Sequence, residues 1–419
     1  MSGGLTRVVH EVHAVAFGQS TGYRDGVLTV SADHARAVLA DPALGEIRLA
    51  LASPGDPVRI VKVLDAVEPR TKGPGGGGIF PGILGPPQVQ GRGVTHVLRG
   101  AAVVAAGFLP RAQEGLVDLS GPAAELSPLG TTHNVVVEFT PTPGASWEEV
   151  DVALRRGVLA LAASLAEAAL EADPDAVEEL VAVEGPQPGD LPRVGALTNL
   201  QTQGSFKDVF VYGRSFATSL PTLIDPGELD DGAVVSGQFG HPALKNPTYL
   251  HQNHPVVAVL RRRHGTDLRF GGVVIAPEPV DQDRKAFISA YSARLCAAAG
   301  FDAVVVTKEG GGNADADVAL KMDELERLGI EAVGIFAEMA GPTGTGPSLV
   351  VAPTVASAMI STGNYDERLR LPAVARALGG DTMDVAGCPA AAELDVPTAV
   401  VYCSLSPLGW GRLTCGVRP

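Results

Sequence analysis

Residues 301–317 read FDAVVVTKEGGGNADAD and decide the fold of the second half of the chain. The stretch 302–306 is short, apolar and rich in valine, which is typical of a strand buried on both faces of a parallel sheet. Glycines at 310–312 end the strand, and a helical pattern follows over 316–328. A strand, a glycine turn and a helix together form the repeating unit of a parallel α/β sheet.

The same alternation extends from this unit in both directions. A second helix is predicted over 281–299, and short β-branched runs flank the helices. Residues 189–419 are therefore predicted to form a Rossmann-like, mainly parallel sheet domain that carries the site, so that the fold class is α/β. The predicted strands of this domain are 193–199, 208–212, 232–236, 271–276, 302–306, 331–337 and 397–403.

Residues 1–188 are predicted to form a separate, β-rich N-terminal domain of mixed β/α character. Short β-branched runs dominate it, whereas apolar residues at three- and four-residue steps predict one long helix over 146–171. Its glycine-rich loop, 73–87, is interrupted by apolar residues, which favours a fixed loop over a flexible linker. Prolines and glycines cluster over 183–192 and mark the predicted domain boundary.

The composition narrows the classes of function. The 419 residues carry a net charge of −15, and the only basic run is Arg261-Arg262-Arg263, so nucleic acid is not an expected partner. The four cysteines show no C-x-x-C spacing, which favours reduced thiols and a cytoplasmic location. No apolar stretch reaches about 18 residues, the length expected of a membrane helix, so no membrane association is predicted.

Ligands of parallel α/β sheets bind at the carboxyl ends of the strands. Glu309 and Glu338 each follow a predicted strand, and a carboxylate at this edge can act as an acid, a base or a ligand. For Glu338 a structural salt bridge is the alternative. Gly311 and Asn313 open the next helix, where free amides favour an anionic group of a substrate. Asp315 is predicted to cap that helix.

The segment 237–255 concentrates three of the nine histidines of the chain. His251 and His254 are three residues apart and would share one face of a helix. Together with His241 they would form a three-imidazole site suited to a divalent metal such as zinc, iron or copper. The alternative is that these rings cap and hydrogen-bond a polar loop, and the sequence leaves both interpretations open.

Several separate motifs, in a fixed order along nearly the whole chain, resemble those of one protein family. The chain resembles the proproteins of glycine/sarcosine/betaine reductase component B, whose alpha and beta subunits arise from one polypeptide. The motifs that carry this resemblance are VEPR at 67–70, GIFPG at 78–82, THVLRGAAVV at 95–104, KNPTY at 245–249, EGGGN at 309–313 and LGWGRL at 408–413.

The resemblance implies a particular chemistry. In that family the proprotein is cut at an asparagine–cysteine bond, and the cysteine becomes a pyruvoyl group that forms a Schiff base with the substrate amine. A partner subunit with a reactive cysteine or selenocysteine then attacks the adjacent carbon. The resemblance therefore implies an oxidoreductase of amino acid metabolism, a hetero-oligomer with a component B-like thiol subunit, and a small amine substrate.

This chain departs from the family at the position of the cut. The matching residues are Gln238 and Phe239, and a benzyl side chain cannot attack the preceding carbonyl or be eliminated. No pyruvoyl group is therefore expected, and Ala243 stands where the family has a second cysteine. The expected product is an uncleaved subunit that acts with a thiol-bearing partner in reductive C–N or C–S chemistry. The alternatives are a non-catalytic supporting subunit and a metal-dependent enzyme.

The resemblance and the loop positions together give a set of candidate site residues. The predicted catalytic residues are Lys245, His251, Glu309 and Glu338. The predicted substrate-binding residues are Asn246, Tyr249, Gly311 and Asn313, and the predicted metal ligands are His241, His251 and His254.

Overall fold

The computed structural model describes residues 4–110, 112–180, 182–183, 185, 189–202, 208–237 and 240–417. Within these residues the protein is a mixed α/β structure with parallel sheets, which confirms the predicted fold class. No helix of this part of the chain is long and apolar enough to cross a membrane. The helices are Ala32–Leu39, Trp147–Glu167, Pro226–Asp230, Thr248–Gln252, Pro255–Arg263, Gln282–Ala298 and Asn313–Arg327, with 3-10 turns at Ala124–Leu126, Pro128–Thr131, Pro242–Leu244 and Thr398–Val400.

The second half of the chain is organised around a seven-stranded sheet. Its five central strands are parallel, and the outermost strand at each edge is antiparallel to its neighbour. Valine and isoleucine fill these strands because both faces are covered by helices and loops. In spatial order the strands are Thr222–Ile224, Arg269–Glu278, Arg193–Gln201, Ala303–Thr307, Glu331–Glu338, Ala358–Asn364 and Thr414–Val417.

The order of these strands creates a crevice at one point of the sheet. Strand Arg193–Gln201 comes first in the chain, and the next two parallel strands of the sheet, Arg269–Glu278 and Ala303–Thr307, pair with its opposite sides. The winding of the chain therefore reverses beside strand Arg193–Gln201. In open parallel sheets such a switch point, at the carboxyl ends of the strands, is where ligands bind.

Most of the predicted strands of this half lie where the sequence placed them. The strand predicted over 397–403 is wrong, because the chain forms strand Leu394–Pro397 and then the 3-10 turn Thr398–Val400. The strands predicted over 208–212 and 232–236 exist only as two-residue strands of a separate small sheet. That sheet contains Arg214–Ser215, Phe210–Val211 and Val234–Val235 in spatial order.

The first half contains two four-stranded sheets. Helix Trp147–Glu167 packs against them and starts at Ser146, whose side chain and Glu149 form a reciprocal capping box. The two sheets are Ala176–Leu180, Leu5–Glu11, Gly93–Arg99 and Arg70–Lys72, and Leu44–Ala52, His133–Pro141, Ala101–Ala106 and Val63–Val67. Further short strands are Ala14–Gly18, Gly22–Arg24, Val27–Ser31, Val58–Val61, Leu116–Asp118, Arg368–Leu371, Arg376–Leu378, Thr382–Met383 and Cys388–Pro389.

The C-terminal segment returns to the first half of the molecule. Strand Arg376–Leu378 pairs with Val58–Val61, which also pairs with Leu116–Asp118. A buried hydrophobic cluster joins residues of both segments, such as Val61, Leu116 and Leu394. The division of the chain at 188 and 189 stays a prediction, because residues 186–188 lie outside the described residues.

Candidate functional site

The loop 236–248 is tied to the first half of the molecule by a chain of hydrogen bonds. Lys245 Nζ donates to Ser236 Oγ at 2.7 Å, and the amide of Ser236 donates to Thr248 Oγ1 at 3.0 Å. Thr248 donates its amide and its hydroxyl to the two carboxylate oxygens of Asp65 at 2.9 and 2.7 Å. Since Asp65 belongs to strand Val63–Val67, this loop is fixed between the two halves.

Asn246 connects the same loop to the carboxyl end of strand Ala303–Thr307. Its amide donates to Glu309 Oε1 at 3.1 Å, and its side-chain amide donates to the carbonyl of Lys308 at 2.8 Å. Its side-chain oxygen accepts from Ser406 Oγ at 2.6 Å. Asn246 is fully buried, and these contacts make it a residue that positions Glu309.

Glu309 and Lys245 lie in an environment that perturbs both groups. Burial raises the pKa of Glu309 to about 7, although the nearby charge of Lys245 opposes this shift. Burial lowers the pKa of Lys245, and the charges of Glu309 and Asp65 oppose that shift. Glu309 Oε2 has no hydrogen-bond partner within the described residues. A buried carboxyl that titrates near neutrality with one oxygen unused is suited to accept and donate a proton.

A buried charge network that the sequence did not predict lies at the switch point of the sheet. Lys308 pairs with Asp315, Lys285 pairs with Asp317, and Lys321 Nζ lies 3.6 Å from Asp317. Burial raises the pKa of Glu278, at the end of a neighbouring strand, well above its usual value. The i,i+4 spacing of Asp317 and Lys321 was the one signal in the sequence for this network, but charged pairs on exposed helices show the same spacing.

The prediction that Asp315 caps a helix is wrong. Helix Asn313–Arg327 begins earlier than predicted, its capping residue is Gly312, and no side chain accepts a hydrogen bond at the cap. Asp315 instead turns inward and pairs with Lys308. The buried cation therefore attracts this carboxylate more strongly than the helix amides do.

The remaining predicted site residues lie in different surroundings. Asn313 is exposed, and Glu338 is half-buried at the end of its strand, where its carbonyl accepts from the amide of Tyr365. Tyr249 packs against a hydrophobic cluster of the first half. Gly311 lies against the loop, because a Cβ atom there would come within 2.8 Å of Leu244 Cδ1. The proposed roles of these residues stay predictions.

The three histidines lie beside two different cavities. His241 has a left-handed backbone conformation, with φ of 51°, and its amide donates to the side-chain oxygen of Gln113. Gln113 lines a cavity of about 420 Å³, here called the Pro242 cavity, together with residues that include Leu64 and Pro242. His251 and His254 line a second cavity of about 510 Å³. Gln238 and Phe239, which match the position at which the family proprotein is cut, lie outside the described residues.

Both ring nitrogens of His254 have partners inside the protein. One lies 3.0 Å from Thr198 Oγ1, and the other accepts from the amide of Val257 and so caps helix Pro255–Arg263. These contacts agree with the alternative in which histidines cap and hydrogen-bond the loop. The described residues contain no group of three or more His, Cys, Asp or Glu side chains that could hold a metal ion. The metal site stays a prediction.

His251 is expected to make the protein less stable in acid. Burial lowers its pKa to about 3, so the folded state keeps it neutral while the unfolded state gains a proton as the pH falls below 6.5. The stabilisation is fully present above that pH, and between pH 7 and pH 5 about 2 kcal/mol is lost. Urea titrations at pH 8, 7 and 5 should show a loss that is smaller by about 2 kcal/mol in His251→Leu than in the wild type, because His254, whose pKa burial also lowers to about 3, still contributes in the variant. Parallel pH profiles of the two proteins would contradict the assignment.

The family model of glycine/sarcosine/betaine reductase component B subunits matches residues 5–415. Glycine reductase complex component B subunits alpha and beta of Peptoclostridium acidaminophilum are 37% identical over 370 residues, which cover 87% of this chain and 86% of the relative. Sarcosine reductase complex component B subunit alpha of the same organism is 34% identical over 371 residues, 87% of this chain and 86% of the relative. Betaine reductase complex component B subunit alpha of the same organism is 29% identical over 432 residues, which cover 96% of this chain and 97% of the relative. No solved structure matches.

Proposed function

Because the chain belongs to the family of glycine/sarcosine/betaine reductase component B subunits, we propose that it is an uncleaved catalytic subunit of a reductase complex. Its substrate would be a small amine or an amino-acid-derived metabolite, and a component B-like partner would supply the reactive cysteine or selenocysteine. The observation that carries the proposal is the buried carboxyl of Glu309, whose pKa burial raises to about 7 and which a hydrogen bond joins to Asn246, the neighbour of the buried Lys245.

The carbonyl cofactor of the family does not fit this chain. A pyruvoyl group needs a β-heteroatom at the residue after the cut, and Phe239 has none. No step of the proposed reaction therefore passes through a Schiff base with the chain. The nitrogen of the substrate must then become a leaving group by protonation or by being quaternary.

In the proposed step the thiolate of the partner attacks the carbon that carries the nitrogen. A sulfur–carbon bond forms, the carbon–nitrogen bond breaks, and its electron pair leaves with the nitrogen. Glu309 supplies the proton that the leaving nitrogen of an uncharged amine takes up; burial raises its proton affinity, and the charge of Lys245 partly offsets this rise. A thioether on the partner and a free amine result.

The rival function is that of a non-catalytic supporting subunit. A carboxylate kept only for structure is usually paired through both oxygens, because an unpartnered buried oxygen costs stability. Among the residues that the structure describes, Glu309 instead has one oxygen without a hydrogen-bond partner, and burial raises its pKa to about 7. This observation favours the catalytic subunit.

The intact mass of the purified chain tests the covalent part of the proposal. A single polypeptide of 43.0 kDa is expected, without labelling by a carbonyl-trapping reagent. Two fragments that meet near residue 238, one of them labelled, would show that a carbonyl forms by another route. Elemental analysis of the same sample tests the prediction of zinc, iron or copper.

Co-expression with a thiol-bearing component B-like subunit tests the partner. The two chains are expected to co-purify, and the complex is expected to release an amine from glycine, sarcosine, betaine or a related metabolite when a dithiol is supplied. Stable co-purification without turnover of any of these compounds would favour the supporting subunit. A chain that is active alone, and only when metal is bound, would favour the metal-dependent enzyme.

A further inference from the structure

A second cavity, here called the Arg261 cavity, lies between the first sheet of the molecule and helices Thr248–Gln252 and Pro255–Arg263. It has a volume of about 510 Å³ and is lined by side chains that include Arg7, Arg99, Asp230, His251 and Arg261. Nothing in the reaction proposed above uses these side chains. The cavity is large enough for a small metabolite, because ligand pockets start at about 300 Å³.

The guanidinium group of Arg261 is only partly satisfied. Its Nη1 donates to Asp230 at 2.6 Å, and this holds the side chain in place. Its Nε and Nη2 are buried and have no hydrogen-bond partner within the described residues. These two atoms form the edge of the guanidinium that presents two parallel N–H groups, the geometry that binds a carboxylate through both oxygens.

His251 adds a second unsatisfied group to the same cavity. The side chain is fully buried, and neither ring nitrogen has a hydrogen-bond partner in the described part of the chain. A neutral imidazole offers one N–H donor and one acceptor. Burying such groups without partners is unfavourable, so a ligand that binds both His251 and Arg261 would recover part of that cost.

The charges around the cavity select the class of ligand. Four arginines line it, Arg7, Arg99, Arg261 and Arg262, against the three acidic residues Glu178, Glu179 and Asp230. The side chains that line the cavity therefore carry one positive charge more than they carry negative charges. Asp230 is shared by Arg7, Arg70 and Arg261. A monoanion balances this excess, whereas a dianion would exceed it.

We propose that the Arg261 cavity is a binding site for a small carboxylate monoanion. The Nε–Nη2 edge of Arg261 binds both carboxylate oxygens, and His251 donates a ring N–H to the ligand. The site is independent of the proposed reaction, and binding to the isolated chain reports on it whether or not the chain is a catalytic subunit.

Isothermal titration of the purified chain with sodium acetate, at constant ionic strength set by sodium chloride, tests this site. Saturable binding of one acetate per chain is expected. Arg261→Lys keeps a cation beside Asp230 but removes the bidentate edge, and it is expected to weaken acetate binding by about tenfold or more. Arg263→Gln is the matched control, because Arg263 lies on the same helix, is exposed and pairs with Asp267; its affinity should equal that of the wild type.

Three outcomes would overturn the site. They are the absence of saturable acetate binding, equal affinity in Arg261→Lys and Arg263→Gln, and tighter binding of inorganic phosphate than of acetate, which would assign a dianion instead.

Should Arg261→Lys prove unfolded by circular dichroism, His251→Leu replaces it. That variant removes the ring donor without touching an ion pair, and acetate affinity is again expected to fall; an unchanged affinity would refute the role of His251 and with it the site.

Discussion

Replacing Arg59 by methionine is expected to lower the free energy of unfolding by about 4 kcal/mol, the cost of leaving a buried charge without its partner. Arg59 is fully buried and donates to both oxygens of Asp118, at 2.6 and 3.0 Å. It also donates to the carbonyls of Ala390, Ala392 and Pro372 at 2.9, 2.9 and 3.1 Å. Three of the five donors of this guanidinium thus hold the returning C-terminal segment against strand Val58–Val61, and the other two bind Asp118.

Urea denaturation measures this loss, and Arg376→Met is the matched control. Arg376 lies on the paired strand Arg376–Leu378 but is exposed, so its replacement should change stability by less than about 0.5 kcal/mol. The double variant with Asp118→Leu should recover part of the loss, because no buried carboxylate is then left alone. If Arg59→Met and Arg376→Met were equally stable, the C-terminal segment would not depend on this ion pair.

The second large effect is expected on turnover. For a substrate whose leaving nitrogen is uncharged, Glu309→Gln should lower the rate of amine release by the complex by about 100-fold or more, the usual contribution of a general acid. Glutamine has the same shape and still accepts from the amide of Asn246, so the fold should be retained. The rate and the melting temperature of the variant are the two quantities to measure.

The pH dependence separates a catalytic role from a structural one. Because the pKa of Glu309 is raised to about 7, its protonated form is lost as the pH rises through neutrality, and the wild-type rate should fall there. Glu309→Gln should lack that fall, whereas Glu331→Gln, which changes an exposed carboxylate of strand Glu331–Glu338, should keep it. A wild-type rate that does not change between pH 6 and pH 8 would argue against Glu309 as the acid.

The stretches of simple local pattern are the ones that the sequence predicted well. Strand Ala303–Thr307 follows from a run of β-branched residues, and helix Trp147–Glu167 follows from helical periodicity. The strand predicted over 397–403 failed although its composition is apolar. There the chain is held by distant contacts, such as the bond from the amide of Tyr402 to the carbonyl of Leu116, which no local pattern records.

The family motifs named Lys245, Asn246 and Glu309 as candidate residues, and the structure joins Asn246 to Glu309 by a hydrogen bond. The histidines were grouped by their closeness along the chain. The structure puts His241 beside one cavity and His251 and His254 beside another. Spacing along the sequence does not tell on which side of a loop a ring points once the loop packs between two halves of a molecule.

The sequence by itself determined the α/β class and the family, because these depend on residue types and on periodicity. Only the tertiary structure decided which charges are buried together. Arg59 with Asp118, Lys285 with Asp317 and Lys245 beside Glu309 join residues that are 59, 32 and 64 positions apart. Their energies and pKa values depend on the removal of water from around them, and that removal occurs only when separate parts of the chain fold against one another.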